Sequence, residues 1–394
     1  MTQPRHLLVT NDFPPKVGGI QAYLWELWRR LDPASLVVLT ARSDPSSRGF
    51  DAAAAAEGIR VERVPGRLLY FPTPGVRARI VSLASEVGAT LVLLDPVLPL
   101  GLLGPQLGVP YGVVLHGAEV AAPARLPVTR DLVARVLEGA SVVVSAGRYP
   151  ASAAVRALAA AGRDREAIGS APRPHIVEVP PGVDCARFVP LDAQARAAAR
   201  IRLCLPVDAP LVASVSRLVP RKGMDVLIEA VRRLRVSYPD LLLVIAGTGR
   251  DAARLEALAR RGAAPVRFLG RVSEEDKRWL LGSADVFAMA CRSRWRGLEE
   301  EGFGIVFLEA AASGTPQVAG DSGGAAEAVD DGVTGIVVRR PRDPGEVAGA
   351  LRRLLADSEL RRRMGGAARE RACRTFEHSV LAGKLAAALA EVQG

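Results

Sequence analysis

Glu301 and Glu309 lie in the stretch EEEGFGIVFLEA, separated by seven residues that open with Gly302-Phe303-Gly304. A spaced pair of acids raises three possibilities: a general acid and base, a metal site, or another use. The glycines put Glu301 in a loop and start a helix near Ile305, whose first N–H groups can bind an anion. Glu309 follows Ile305, Val306, Phe307 and Leu308 about a turn inside that helix, where so apolar a run favours burial against a ligand. The plainer alternative leaves Glu301 as one of three solvated acids and Glu309 exposed.

Three other stretches carry candidate chemistry. In SRLVPRKG (216–223), Arg217 and Lys222 stand five apart across a proline-containing loop and can converge on one anionic group, as a diphosphate requires. A solvated basic turn is the alternative, but the chain has only four lysines against forty-eight arginines, so a lysine here is unlike filler. In LHGAE (115–119), His116 ends an apolar run and Gly117 leaves room beside it. A lone histidine is usually a satisfied core group; at this place it could donate to a substrate oxygen or accept a proton. In TNDFPPKVGGIQAYLWELWRRL (10–31), Asn11 and Asp12 end a strand. Gly18 and Gly19 then precede a helix bearing Ile20, Leu24, Leu27 and Leu31. Bare amides at that helix start suit a phosphate, although a glycine turn used only for packing reads the same way. GTGRDA (247–252) is an incomplete dinucleotide fingerprint and reads as a strand-to-helix turn; the arginines at 361–363 read as a solvated helix face.

The elements that must position these residues are short apolar runs alternating with helical stretches. The runs are LLVTND (7–12), LVVLT (36–40), VERVP (61–65), TLVLLD (90–95), YGVVLHG (111–117), SVVVSAG (141–147) and HIVEVPPG (175–182) in the first half. LVASVSRL (211–218), LLLVIAGTG (241–249), VRFLG (266–270), VFAMA (286–290), PQVAGDSGG (316–324) and GIVVR (335–339) follow in the second. Unbroken Val/Leu/Ile runs predict strands buried on both faces of a parallel sheet, and the alternation predicts two doubly wound α/β domains. PPGVDCARFVP (180–190) breaks the pattern and marks the boundary. From about Phe376 a last helix carries Leu381, Leu385 and Leu389. Ligands of such sheets bind outside the carboxyl ends of the strands, so two sheets facing each other predict an interdomain cleft.

Length and composition agree. A chain of 394 residues, 49% hydrophobic and 24% charged, is globular and long enough for two cores. No apolar run reaches the roughly 18 residues that span a bilayer, and the start shows no signal-peptide pattern, so a cytoplasmic protein is expected. Cys185, Cys204, Cys291 and Cys373 stand far apart in sequence and read as isolated reduced thiols. HExxH, Walker and DxD motifs are absent, so no metal is expected. A net charge of +10 draws anions: nucleotides, acidic lipid surfaces or nucleic acid, the last disfavoured because no nucleic-acid motif accompanies it.

Together these stretches resemble the retaining GT-B glycosyltransferases of the glycogen-synthase-like family four, through E-x7-E, the Arg217/Lys222 pair and the amino-terminal Gly-Gly loop. TNDFPPKVGGIQAYL, SRLVPRKG and EEEGFGIVFLEAAASGTPQVAGDSGGAAEAV are similar to one branch, the PimB-type phosphatidylinositol monomannoside mannosyltransferases, which use GDP-mannose. The resemblance implies a GT-B fold of two Rossmann-like domains across a cleft: residues 1–184 binding acceptor, 185–375 binding the sugar nucleotide, and 376–394 crossing back. It implies that Arg217 and Lys222 neutralise the diphosphate, helped by Gly18, Gly19 and the amides of Gly302, Phe303, Gly304 and Ile305. It further implies Glu301 on the donor sugar, Glu309 on the ribose diol, and the backbone of Arg271 and Val272 on the base. His116 would lie near the transferred sugar, with Asn11, Asp12 and Lys16 on the acceptor side. Its partners are then a sugar-nucleotide donor and a glycolipid acceptor, with no cofactor and no nucleic acid. This branch is expected to carry a second histidine where Ala118 stands. VPGRLLYFPTPGVRAR (64–79) mixes Arg67, Arg77 and Arg79 with Leu68, Leu69, Tyr70 and Phe71. That suits an anionic membrane surface at the inner face of the cell membrane, or equally the ordinary start of a helix. Three readings stay open: a peripheral mannosyltransferase, a UDP- or GDP-sugar transferase with another lipid or soluble acceptor, and an anion-binding protein without transfer.

Overall fold

The computed structural model describes residues 5–42, 46–65, 69, 71–121, 123, 126–161, 174–297 and 299–392. Each apolar run becomes a parallel strand, because Val, Leu and Ile side chains leave water on both faces of a sheet that helices cover. The first seven strands are β1 (His6–Thr10), β2 (Leu36–Ala41), β3 (Arg60–Val64), β4 (Leu91–Asp95), β5 (Tyr111–Leu115), β6 (Val142–Ser145) and β7 (His175–Glu178). They form a sheet in the order β3-β2-β1-β4-β5-β6-β7. The next six are β8 (Leu211–Val215), β9 (Leu242–Ala246), β10 (Val266–Gly270), β11 (Val286–Met289), β12 (Gln317–Gly320) and β13 (Gly335–Val338). Their order is β10-β9-β8-β11-β12-β13. Strand order therefore reverses between β1 and β4 in one sheet and between β8 and β11 in the other. These reversals are the places where doubly wound sheets bind ligands.

Two compact units result: residues 1–182 with 378–394, and residues 183–377. The last helix, His378–Glu391, buries Leu381, Leu385 and Leu389 in the core that also holds Leu24, Leu27 and Trp28 of the Gly19–Trp28 helix. Burying one such leucine is worth about 1.5–3 kcal/mol, so the end of the chain completes the unit in which the chain began. In the second unit the Met224–Leu234 helix turns Leu227, Ile228, Val231 and Leu234 onto its sheet.

Some of the arginines tie helices together. The Ser358–Thr375 helix sends three of them to the carboxyl ends of other helices, where carbonyls lack N–H partners. Arg361 donates to the carbonyls of Leu354 and Leu355, Arg369 to Ala312, and Arg371 to Glu327 and Ala328. Arg361 is thus half-buried and engaged, while Arg362 and Arg363 are solvated as expected. The cysteines are all free, and Cys185 and Cys373 are near enough to influence each other, so these two are not isolated in space. Within 64–79, Leu69 is a core residue and Arg79 pairs with Glu62 at 3.4 Å, whereas Phe71 and Arg77 are exposed. Arg67, Leu68 and Tyr70 lie outside the described residues.

Candidate active site

In the second unit, β8 runs into a 3-10 turn, Pro220–Lys222, closed by Gly223 in the left-handed region. A Cβ on Gly223 would stand 1.9 Å from the Ala290 carbonyl oxygen, so only glycine lets the turn lie against the end of β11. The turn sends Lys222 inward, where its Nζ lies 2.7 Å from Glu301 Oε2. Arg221 adds Nε at 3.7 Å from the same oxygen and Nη1 at 3.5 Å from Glu299. Arg217 is exposed. The two expected phosphate ligands therefore differ in kind: Lys222 is a buried partner of Glu301, and Arg217 is a surface cation.

Burial works to raise the Glu301 carboxyl, but Lys222 first, then Arg221 and Arg217, hold it below the ordinary carboxylate value. Glu301 is neither a solvated acid nor a proton donor at neutral pH. It is an ionised acceptor suited to hydroxyl groups. Its loop rests on a glycine cradle, with Gly324 N donating to Glu301 O at 2.9 Å. A Cβ on Gly323 would meet Glu301 O at 2.1 Å, and one on Gly324 would meet Gly302 O at 2.0 Å. Phe303 is buried in the core beside this turn. Gly304, at φ 83°, ends the loop and begins the Ile305–Ala312 helix, which has no side-chain cap; its first amides suit an anion.

Four residues into that helix, Glu309 is buried with Oε1 2.6 Å from Lys277 Nζ. Lys277 also reaches Glu274 at 2.9 Å and lies 5.5 Å over the Phe188 ring. Burial pushes the Glu309 carboxyl above its usual range, and Lys277 only partly opposes it. Arg271 and Val272 connect β10 to the Ser273-capped helix Glu274–Ser283, which carries Lys277. The stretch 247–251 is a strand-to-helix turn between β9 and the Ala252–Arg261 helix.

In the first unit, the ends of β1, β4 and β5 meet. Asp95 ends β4 and is buried; its Oδ1 lies 3.0 Å from His116 Nε2, and its Oδ2 accepts the Thr10 hydroxyl at 2.6 Å. Glu119 accepts the backbone N–H groups of His116 and Gly117. Asn11 is buried: its Nδ2 donates to Leu69 O at 3.1 Å, while its Oδ1 has no hydrogen-bond partner among the described residues. Lys16 Nζ donates to Asn11 O at 2.8 Å and lies 3.6 Å from Asp12, which also accepts Gln21 Nε2 at 2.6 Å. Gly18 is extended, and Gly19 begins the Gly19–Trp28 helix, again with no side-chain cap. A Cβ on Gly18 would meet Gln21 Oε1 at 2.3 Å, the movable end of a side chain, so neither packing nor backbone angle demands glycine here.

The sequence profile of the group 1 glycosyl transferases matches residues 196–371. A Mycobacterium tuberculosis protein named GDP-mannose-dependent alpha-(1-6)-phosphatidylinositol monomannoside mannosyltransferase is 40% identical over 391 residues, 97% of each chain. The chain belongs to the group 1 glycosyltransferases. A Mycolicibacterium smegmatis protein of the same name is 40% identical to this glycosyltransferase, over 96% of it and 97% of that chain. The crystal structure of Anabaena HepE with UDP superposes with a TM-score of 0.80 at 20% identity, over 98% of this chain and all of that one, which shows the GT-B fold.

Sequence reasoning missed Asp95, Arg221, Lys277 and the Gly323-Gly324 cradle of this glycosyltransferase. Two of them had a signal. Asp95 ends an apolar run as Glu309 does, and Lys277 is one of four lysines.

Proposed function

We propose that this enzyme moves mannose from GDP-mannose to a phosphatidylinositol monomannoside, retaining configuration and using no metal. The end-to-end identity with the two mycobacterial mannosyltransferases carries the reading. The buried Glu301–Lys222 pair beside Arg217 supports it chemically.

Leaving GDP gains negative charge as the mannosyl carbon becomes oxocarbenium-like. Arg217 and Lys222, with the uncapped helix starts at Gly19 and Ile305, stabilise that charge, where one preorganised donor is worth about 2.7–4 kcal/mol. The leaving phosphate, on the front face, then takes the acceptor's proton, so no side-chain base is needed. Glu301 holds mannose hydroxyls, Glu309 the ribose diol, and the backbone at Arg271-Val272 the guanine. His116 contacts the transferred sugar; Asn11, Asp12 and Lys16 face the acceptor. Among the described residues no three His, Cys, Asp or Glu side chains gather as metal ligands.

The acceptor's lipid gives the protein a reason to meet the inner face of the cell membrane. Phe71, 63% exposed, and Arg77 offer apolar and cationic contact there. No helix of the described residues is long and apolar enough to cross a membrane. Incubation with GDP-mannose or UDP-sugars, with and without phosphatidylinositol monomannoside, tests the proposal. GDP release that requires both GDP-mannose and the lipid is expected; turnover of a UDP-sugar alone, or of no donor, refutes it.

A further inference from the structure

The carboxyl ends of β1, β4 and β5 hold a hydrogen-bond chain whose direction can be read atom by atom. Asp12 N–H donates to Thr10 Oγ1 at 2.9 Å, so the Thr10 hydroxyl spends its own proton on Asp95 Oδ2 at 2.6 Å. That leaves Asp95 Oδ1, an acceptor, facing His116 Nε2 at 3.0 Å. Nε2 must therefore carry a proton, and the ring is fixed in one tautomer. The Tyr23 ring meets the imidazole edge-on, with centroids 5.3 Å apart, and Tyr23 is itself pinned by donating to Val179 O at 2.8 Å. Position, tilt and tautomer of His116 are all set from behind.

We propose that Asp95 is the positioning residue of His116, tying Nε2 so that Nδ1 is the ring atom offered to the transferred sugar. This rests on the mannosyl-transfer reading for its effect on rate, not for the pairing itself.

The surrounding charges favour the protonated ring. Burial works against the imidazolium, but Asp95 on β4, Glu119 on the Ala118–Ala121 turn and Asp12 after β1 together hold it above the ordinary histidine value. Tyr23, on the Gly19–Trp28 helix, contributes no charge, since burial keeps its phenol protonated. A protonated ring presents N–H at Nδ1, so His116 acts as a donor to a sugar oxygen and not as a base. Activity should then fall as pH rises through the His116 midpoint.

The chain has four histidines, so proton and nitrogen NMR can follow each one, with His116→Gln assigning the signal. In the wild-type protein without substrate, His116 should titrate above about 6.5 and keep its proton on Nε2 when neutral. Asp95→Asn should lower that midpoint. The alkaline limb of kcat should move with it to lower pH while KM for the donor changes little. A wild-type midpoint at or below the ordinary value, a neutral tautomer protonated at Nδ1, or an Asp95→Asn midpoint equal to wild type overturns the proposal. A purely structural Asp95 would change stability and leave the midpoint in place. The wild-type titration needs no donor, so it separates failure of this pairing from failure of the mannosyl-transfer reading.

Discussion

At the scale of single residues, the two glutamates answer to different lysines, and that divides their work. Glu301 is ionised against Lys222, which suits the proposed role of accepting hydroxyls of the donor sugar. Glu309 is pushed toward protonation by burial and depends on Lys277 to stay charged. Glu301→Ala should therefore lower kcat severely, by about a hundredfold or more, if its contacts strengthen as the sugar reacts. Glu309→Ala and Lys277→Met should instead raise KM for GDP-mannose about tenfold or more, the cost of one or two hydrogen bonds to a charged group, and leave kcat nearly intact. Steady-state kinetics on the three variants checks this; the opposite division would reverse the assignment. The glutamates and Lys222 were legible because spacing and rarity single them out. Lys277 was not, since its link to Glu309 crosses thirty-two residues and exists only once the Glu274–Ser283 helix folds beside the Ile305–Ala312 helix. Asp95 looked like the last residue of a strand, and only the return of β5 beside β4 supplies its histidine.

At the scale of elements, the strand runs read from sequence match the thirteen strands, and the common error lies at their carboxyl ends. LLVTND, YGVVLHG and LVASVSRL each overran into Asn11-Asp12, His116-Gly117 and Ser216–Leu218, because a residue can be apolar or strand-like and still begin the loop that binds ligand. What sequence could not supply is how those loops support one another. The Glu301–Gly304 loop lies backbone to backbone on Gly323-Gly324, a contact between segments with no shared pattern. Gly324→Ala puts a methyl group 2.0 Å from a carbonyl oxygen, where neither side can give cheaply. It should destabilise by about 1–3 kcal/mol, as overpacking does, and reduce transfer more than melting temperature alone explains, because Glu301 moves with the loop. Calorimetry beside activity measurements tests this. A variant with wild-type melting and full activity would show that the cradle is dispensable.

At the scale of the whole molecule, the first unit is built from segments on both sides of the second in sequence, and the His378–Glu391 helix closes its core. The leucines at 381, 385 and 389 announced a helix by their spacing; which core receives them is settled only by packing against the Gly19–Trp28 helix. Leu385→Ala should cost about 2–5 kcal/mol in denaturant unfolding, with the loss in the first unit although the change lies at the far end of the chain. Stability unchanged by this variant would remove the helix from that core. The net charge of +10 decides little by itself, since arginines such as Arg361, Arg369 and Arg371 also hold helix carbonyls. The most direct test of the central claim is transfer of labelled mannose from GDP-mannose to phosphatidylinositol monomannoside in excess chelator, with the product's anomeric configuration read by NMR. The proposed front-face, metal-independent mechanism predicts an α-mannosyl product formed at an undiminished rate. A β-linked product, or a reaction abolished by chelation, would contradict the account.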